Sequence, residues 1–191
     1  MRETLTAILV ASALAAPALS QAEDQATGQR VEEARALVKN FGGSLKQALQ
    51  AAVKEGGLAN GILACETLAP EIAAKNSNGS WTIGRTSLKL RNPDNAPTDW
   101  QKMQLLAMKK QPVIDGKPVE VWQVSEAHGQ PEFQYMSAIP TQKLCLNCHG
   151  KSIKPEVQAK LKELYPEDEA TGFSEGDLRG AFVVTYQPSS D

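Results

Sequence analysis

Between Val31 and Ala52 the apolar residues Val31, Ala34, Val38, Phe41, Leu45, Ala48 and Ala52 recur at alternating steps of three and four, which predicts a helix with one apolar stripe. Gly42 and Gly43 interrupt the stripe at a cost of ~1 kcal/mol each relative to alanine, so a kink is expected there. Gly56 and Gly57 end the helix. A second helical stretch starts near Asn60 and places Ile62, Cys65, Ala69 and Ile72 on one face. Pro70 lacks an amide proton and clashes with the carbonyl four residues back, which predicts a kink or restart.

The pattern then changes period. Trp81 to Leu90 alternates as a strand does, and RNPDNAP after it is turn chemistry leading into a short helix over Asp99 to Lys109. Val119 to Ser125 and Phe133 to Ile139 read as two strands of a hairpin, joined by a loop containing His128, Gly129 and Pro131. Pro155 suits a first helical turn, and Val157, Leu161 and Leu164 form an apolar face that stops at Pro166. Gly180 to Tyr186, rich in apolar and β-branched residues, reads as a central strand. Helices first, then several strands with a helix between them and a last strand, argue for an α+β fold on an antiparallel sheet.

Composition narrows the class. The 191 residues carry 20 Lys and Arg against 22 Asp and Glu, a net charge of −2, which offers no basic face for nucleic acid. Met1 and Arg2 are followed by an apolar run from Leu5 to Ala16 and by small residues ending in Ser20, Gln21 and Ala22. The run has the length of a signal-peptide core and is too short to span a bilayer. This predicts a signal peptide over 1–22, a single domain over 23–191, and a periplasmic protein with no membrane span after cleavage. Glu3 cancels Arg2, so a retained anchor is the alternative.

The chemistry lies in KLCLNCHG. Cys145, Cys148 and His149 form C-x-x-C-H, the attachment signature of a c-type haem. Two thiols add across the two vinyl groups of one porphyrin, and the adjacent histidine is held where its imidazole can ligate the iron. A thioredoxin-like pair wants a strand-to-helix junction of a βαβ unit, which the surroundings do not supply. A structural zinc site needs four protein ligands, which Cys65 and His128 would only just complete. One covalent haem c is therefore expected, with His149 as one axial ligand. From the residues alone the other axial position stays open among Cys65, His128, Met103, Met108 and Met136. Cys65 is the leftover thiol once the other two form thioethers.

RTSLKLRNPDNAPTDW, then CLNCHG, then LYPEDEATGFSEGDLRGAFVV, together closely resemble the PAS-like c-type haem family, long catalogued as a domain of unknown function. The resemblance covers nearly all of the chain beyond the leader. It implies a PAS-like antiparallel sheet with N-terminal helices and a covalently bound haem c. It also implies that a cysteine in a C-x-x-x-A-P setting, here Cys65 to Pro70, is the second axial ligand. By the same resemblance Arg85, Lys89 and Arg91 fall near the haem edge, and Arg85 and Arg91 are taken as partners of the propionates. Arg179, in GDLRG, is a further cation.

Three functions compete. A periplasmic cytochrome transferring single electrons needs a redox partner protein. A sensor of redox poise or of a diatomic gas needs a separate signalling partner, since no output domain is recognisable in the sequence. Haem catalysis needs a distal acid or base, for which His128 is the one remaining histidine. A thiolate ligand stabilises ferric iron, so a low reduction potential is expected. The first function is the leading expectation and the sensor its alternative.

Overall fold

The computed structural model describes residues 16–127 and 129–188, so His128 and most of the expected leader lie outside the described residues. Helix α1 (Ala16–Asn76) leaves helical geometry only at Gly56 and Gly57. Gly57 has φ of +74°, the left-handed region that glycine enters without a side-chain clash. The break folds the second arm back on the first: a Cβ added to Gly61 would lie 2.7 Å from Val53 and 3.1 Å from Leu49. In a straight helix, residues twelve apart are separated by about 18 Å. Asn60 Nδ2 donates to the Ala52 carbonyl at 2.9 Å and ties the two arms across the break.

Two expected kinks in α1 do not occur. The helix passes through Gly42 and Gly43, and Gly42 serves close packing instead, since a Cβ there would meet the Phe182 ring at 3.0 Å. It also continues through Pro70, where Ala69 is buried and Ile72 and Ala73 pack on the main core. Tertiary packing holds the helix despite the lost hydrogen bond.

Strands β1 (Trp81–Thr86), β4 (Glu120–Ala127), β5 (Gln130–Pro140) and β6 (Leu178–Tyr186) form an antiparallel sheet in the order β1-β6-β5-β4, with β6 central as the sequence predicts. The α+β class with an antiparallel sheet and N-terminal helices is thus the fold adopted. Alternation along the strands divides the core between the two faces. Ile83, Phe133, Tyr135 and Val184 meet Val31, Ala34 and Phe41 of α1, whereas Met136, Ala138 and Ala181 meet Leu105 and Met108 of α2 (Asp99–Met108).

Three boundaries differ from expectation. β1 stops at Thr86 instead of running to Leu90, because Ser87 turns aside to donate its hydroxyl to the Arg179 carbonyl at 2.7 Å. Pro131 falls inside β5, paired with Glu126 near the strand's start, where a missing amide proton is tolerated. A small hairpin of β2 (Val113–Ile114) and β3 (Lys117–Pro118) turns on Asp115 and Gly116, both at positive φ. Asp-Gly is a hairpin cue that the sequence reading left unused.

A third core cluster positions the site. Val157 and Leu161 of α4 (Pro155–Leu164) pack against Ile62 on the second arm of α1, with Cys148 and Tyr165 at its edge. The glycines separate two packing roles. Gly43→Ala meets open space within a helix and is expected to raise the unfolding free energy by about 1 kcal/mol. Gly180→Ala would place a Cβ 2.4 Å from the Thr86 carbonyl and is expected to lower it by about 1–3 kcal/mol; denaturant titration of both variants checks the opposite signs.

Candidate functional site

A 3-10 turn (Lys143–Cys145) runs directly into the short helix α3 (Leu146–His149), which carries the C-x-x-C-H residues. Gly150 ends it, and a Cβ there would sit 2.5 Å from the Leu146 carbonyl, so only glycine lets the chain leave in this direction. The next residues are pinned to a second segment. Gly172 N donates to Gly150 O and Phe173 N to His149 O, each at 3.0 Å.

Cys65, Arg85, Arg91, Cys145, Cys148 and His149 all line one cavity of about 410 Å3. The three motif residues, Cys65 and the two arginines expected from the sequence are therefore brought together. The second arm of α1 supplies Cys65, β1 and the segment after it supply the two arginines, and α3 with the turn before it supplies the motif. Apolar side chains including Phe41, Leu49, Ile62, Leu90 and Ile139 make up much of the wall.

His149 is oriented before any ligand arrives. Its Nδ1 lies 2.6 Å from the Ala170 carbonyl, which can only accept, so Nδ1 carries the proton and Nε2 is left with its lone pair. Burial, with Arg179 and Arg91 nearby, pushes the imidazole down to about 2, so the ring is neutral at ordinary pH. A neutral imidazole whose second nitrogen is tied to a carbonyl is the form that ligates metals.

Arg91 clamps the loop around it. Its Nη2 donates to the Cys148 carbonyl at 2.6 Å and to Asp168 Oδ2 at 3.0 Å, and Nη1 lies 3.4 Å from His149 Nε2. Asp168 in turn accepts from the Ala170 amide at 2.8 Å, linking the clamp to the carbonyl that orients His149. The Arg91 Nε is buried without a partner among the described residues.

The other two guanidinium groups of the cavity have no carboxylate partner among the described residues. The Arg85 side chain makes no hydrogen bond or ion pair among the described residues, and burial lowers its pKa. Arg179 donates to Ser87 Oγ at 3.0 Å and to the Lys89 carbonyl at 3.3 Å, and burial beside Arg91 and Arg85 brings it down to about 10. Lys89 itself donates to the Thr171 carbonyl and lies over the Phe173 ring, so it braces this segment. Two thiols and a neutral imidazole on one short segment, apolar walls and two uncompensated cations fit a flat apolar macrocycle bearing two carboxylates.

Burial pushes the Cys65 thiol up, while Arg85, Arg91 and Arg179 pull it down more weakly. The methionine candidates lie elsewhere: Met103 is exposed on α2, and Met108 and Met136 are buried on the opposite face of the sheet from Phe41. Among the described residues no three of His, Cys, Asp and Glu converge as a metal site of their own. Sequence reasoning set Arg179 aside and missed Asp168, Ala170 and Tyr165. Their position in LYPEDEATGFSEGDLRG, the third segment of the resemblance, was the available signal.

The Arg91–Asp168 pair has side-chain exposures of only 11% and 8%. Asp168→Ala leaves a buried guanidinium unpaired and is expected to cost about 3 kcal/mol of stability. Lys160→Ala, which breaks the more exposed Lys160–Glu163 pair, is expected to cost less than about 1 kcal/mol. Denaturation of the two variants side by side tests the contrast.

The Tll0287-like family model matches residues 15–187. Among solved structures, the crystal structure of the cyanobacterial heme-protein Tll0287 is similar at 27% identity and a TM-score of 0.60, over 85% of this chain and 98% of that one. No curated protein matches. With nearly its whole length matched and the C-x-x-C-H turn seated in the cavity, the chain belongs to the Tll0287-like family.

Proposed function

We propose that this protein is a periplasmic cytochrome that carries one covalent haem c and transfers single electrons. Cys145 and Cys148 would hold the group through thioethers, and His149 and Cys65 would take the two axial positions of its iron. The observation that carries this reading is the convergence of Cys65, from α1, with the C-x-x-C-H turn in one cavity. The similarity to a protein described as a heme-protein supports it. When bound, the haem supplies a one-electron couple.

The protein's own part is binding, orientation and charge. Arg85 and Arg179 are the partners for the two propionates, because each is a cavity cation without a carboxylate. Arg91, expected at the haem edge, acts chiefly as the clamp on the Cys148 carbonyl and Asp168. The residues of the leader would direct export, which covalent haem attachment in bacteria requires. No helix among the described residues is long and apolar enough to cross a membrane.

A second reading, a sensor of redox poise or of a diatomic gas acting through a separate signalling partner, is favoured by one observation. Cys65 stands on the second arm of α1, an element separate from the C-x-x-C-H turn, so its sulfur could leave the site without moving His149. For catalysis, the side chains other than His149 that line the cavity and could act as acid or base are, among the described residues, Tyr165 and the exposed Glu66 and Asp94, while His128 lies outside those residues.

Expression with export in a host competent for cytochrome c maturation tests the cofactor. The pigment is expected to stay with the chain on a denaturing gel and to be lost in the Cys145→Ser/Cys148→Ser double variant. Pigment fully extracted by acidified acetone would refute covalent attachment. The ligand set is tested separately: a low-spin thiolate resonance signal is expected in the native protein and absent in Cys65→Ala, and a redox titration is expected to give a potential below that of His/Met cytochromes. A ferrous spectrum that carbon monoxide leaves unchanged favours the carrier, and one that it changes favours the sensor.

A further inference from the structure

Strand β4 closes one side of the sheet, and its outer edge pairs with no strand among the described residues. Its residues pair with β5 in unbroken register, so no bulge twists the edge away, and it holds neither proline nor lysine. Those are the devices that keep sheet edges from pairing. The Ala138 amide donates to the Val119 carbonyl at 2.8 Å, a bond that turns the backbone groups of the odd-numbered residues of β4 toward β5. Trp122, Val124 and Glu126 therefore direct their amides and carbonyls outward.

The same residues carry exposed side chains. Trp122 and Val124 lie opposite Tyr135 and Phe133 and so face the side of the sheet on which α1 packs, yet they are 46% and 51% exposed. Helix α1 reaches this margin through Arg35, whose Nε donates to Glu120 at 2.9 Å. Arg35 and Trp122 line a groove there with Ile114 and Lys117 of the small hairpin. Lys117, in the groove, and Glu126, at the other end of β4, have no ion-pair partner among the described residues.

We propose that this edge is the interface of a homodimer, in which the β4 strands of two copies pair antiparallel about a twofold axis through Gln123. An axis perpendicular to the sheet keeps α1 of both copies on one face and must pass through a residue, because opposed residues share a face. Centring on Gln123 sets Trp122 of each copy opposite Val124 of the other, two aromatic and β-branched pairs beside α1. It also brings Glu126 of each copy to Glu120 of the other, beside Arg35 and the unpaired Lys117. Neighbouring centres are poorer. An axis at Val124 would set Trp122 against Glu126, and one at Trp122 would set Val124 against Glu120. The contact is self-complementary, so it closes at two copies and joins two four-stranded sheets into one.

Sedimentation of the exported holoprotein over a range of concentrations is expected to show a dimer that dissociates on dilution. Val124→Lys places a lysine opposite Trp122 in both pairs and is expected to raise the dissociation constant by about tenfold or more. The position is exposed, so the unfolding midpoint is expected to stay close to native. Gln123→Cys tests the register. The axis brings the two Cα atoms at this position to about 4.5 Å, within disulfide range, and an interchain disulfide is expected in oxidising buffer. Ser125→Cys stands about 13 Å from its counterpart along the strands and is expected to remain unlinked. A monomer at every concentration overturns the proposal, as do assemblies larger than two or a dimer that Val124→Lys leaves intact. Linkage through Ser125→Cys but not through Gln123→Cys overturns the register.

Discussion

Gly57 adopts φ of +74°, and this one left-handed residue turns a helix that would otherwise run away from the sheet back along itself. The consequence is spatial. The first arm spends its apolar stripe on the sheet through Val31, Ala34 and Phe41, while the second arm is free to pack Ile62 against α4. Cys65 follows Ile62 by three residues, so the contact that fixes α4 also fixes where the thiol sits. A helix continuing straight from residue 55 would carry Cys65 well clear of the C-x-x-C-H turn. The cavity exists because the break precedes it.

Electrostatics then decide what the cavity can hold. Desolvation disfavours charge on any group inside, which neutralises His149 and raises the thiols of Cys65 and Cys148. Guanidinium groups keep their charge under the same pressure, so the cavity's fixed charge is positive unless an anion enters. Asp168 offsets Arg91 and holds it on the Cys148 carbonyl, but among the described residues no carboxylate pairs with Arg85 or Arg179. An apolar cavity with two uncompensated cations is electrostatically incomplete, and a ligand with an apolar body and two carboxylates completes it. The requirement follows from the protein's charges and is independent of the two cysteines.

Much of this was legible in the sequence because it is local. The stripe from Val31 to Ala52, the strands β4, β5 and β6, and C-x-x-C-H are patterns of neighbours, and each falls close to where it was expected. The errors arise where distant contacts override local preference. Gly42 weakens a helix in isolation, but the Phe182 ring lies over it and uses the missing side chain. Pro70 removes one hydrogen bond, but Ala69, Ile72 and Ala73 are already held by the core. The clamp of Arg91, Asp168 and Ala170 spans 79 residues, and no periodicity marks a contact of that separation.

The sulfur of Cys65 is where the two functional readings part, and the cavity places opposing pressures on it. Burial favours the neutral thiol, which binds metals poorly, and three arginines favour the thiolate, which binds them well. Burial is the larger of the two. Entry of two carboxylates would quench part of the arginine field, which tips the thiol further toward its protonated form. A bond to a metal would then have to hold the thiolate against both effects, with the metal's own charge added to what is left of the arginine field. Were an iron bound there, its reduction would lower that charge by one unit and make protonation of the sulfur easier. A carrier needs that bond to survive reduction, whereas a sensor needs it to break. The same residues serve either role, and the side chains around the sulfur set the threshold between them.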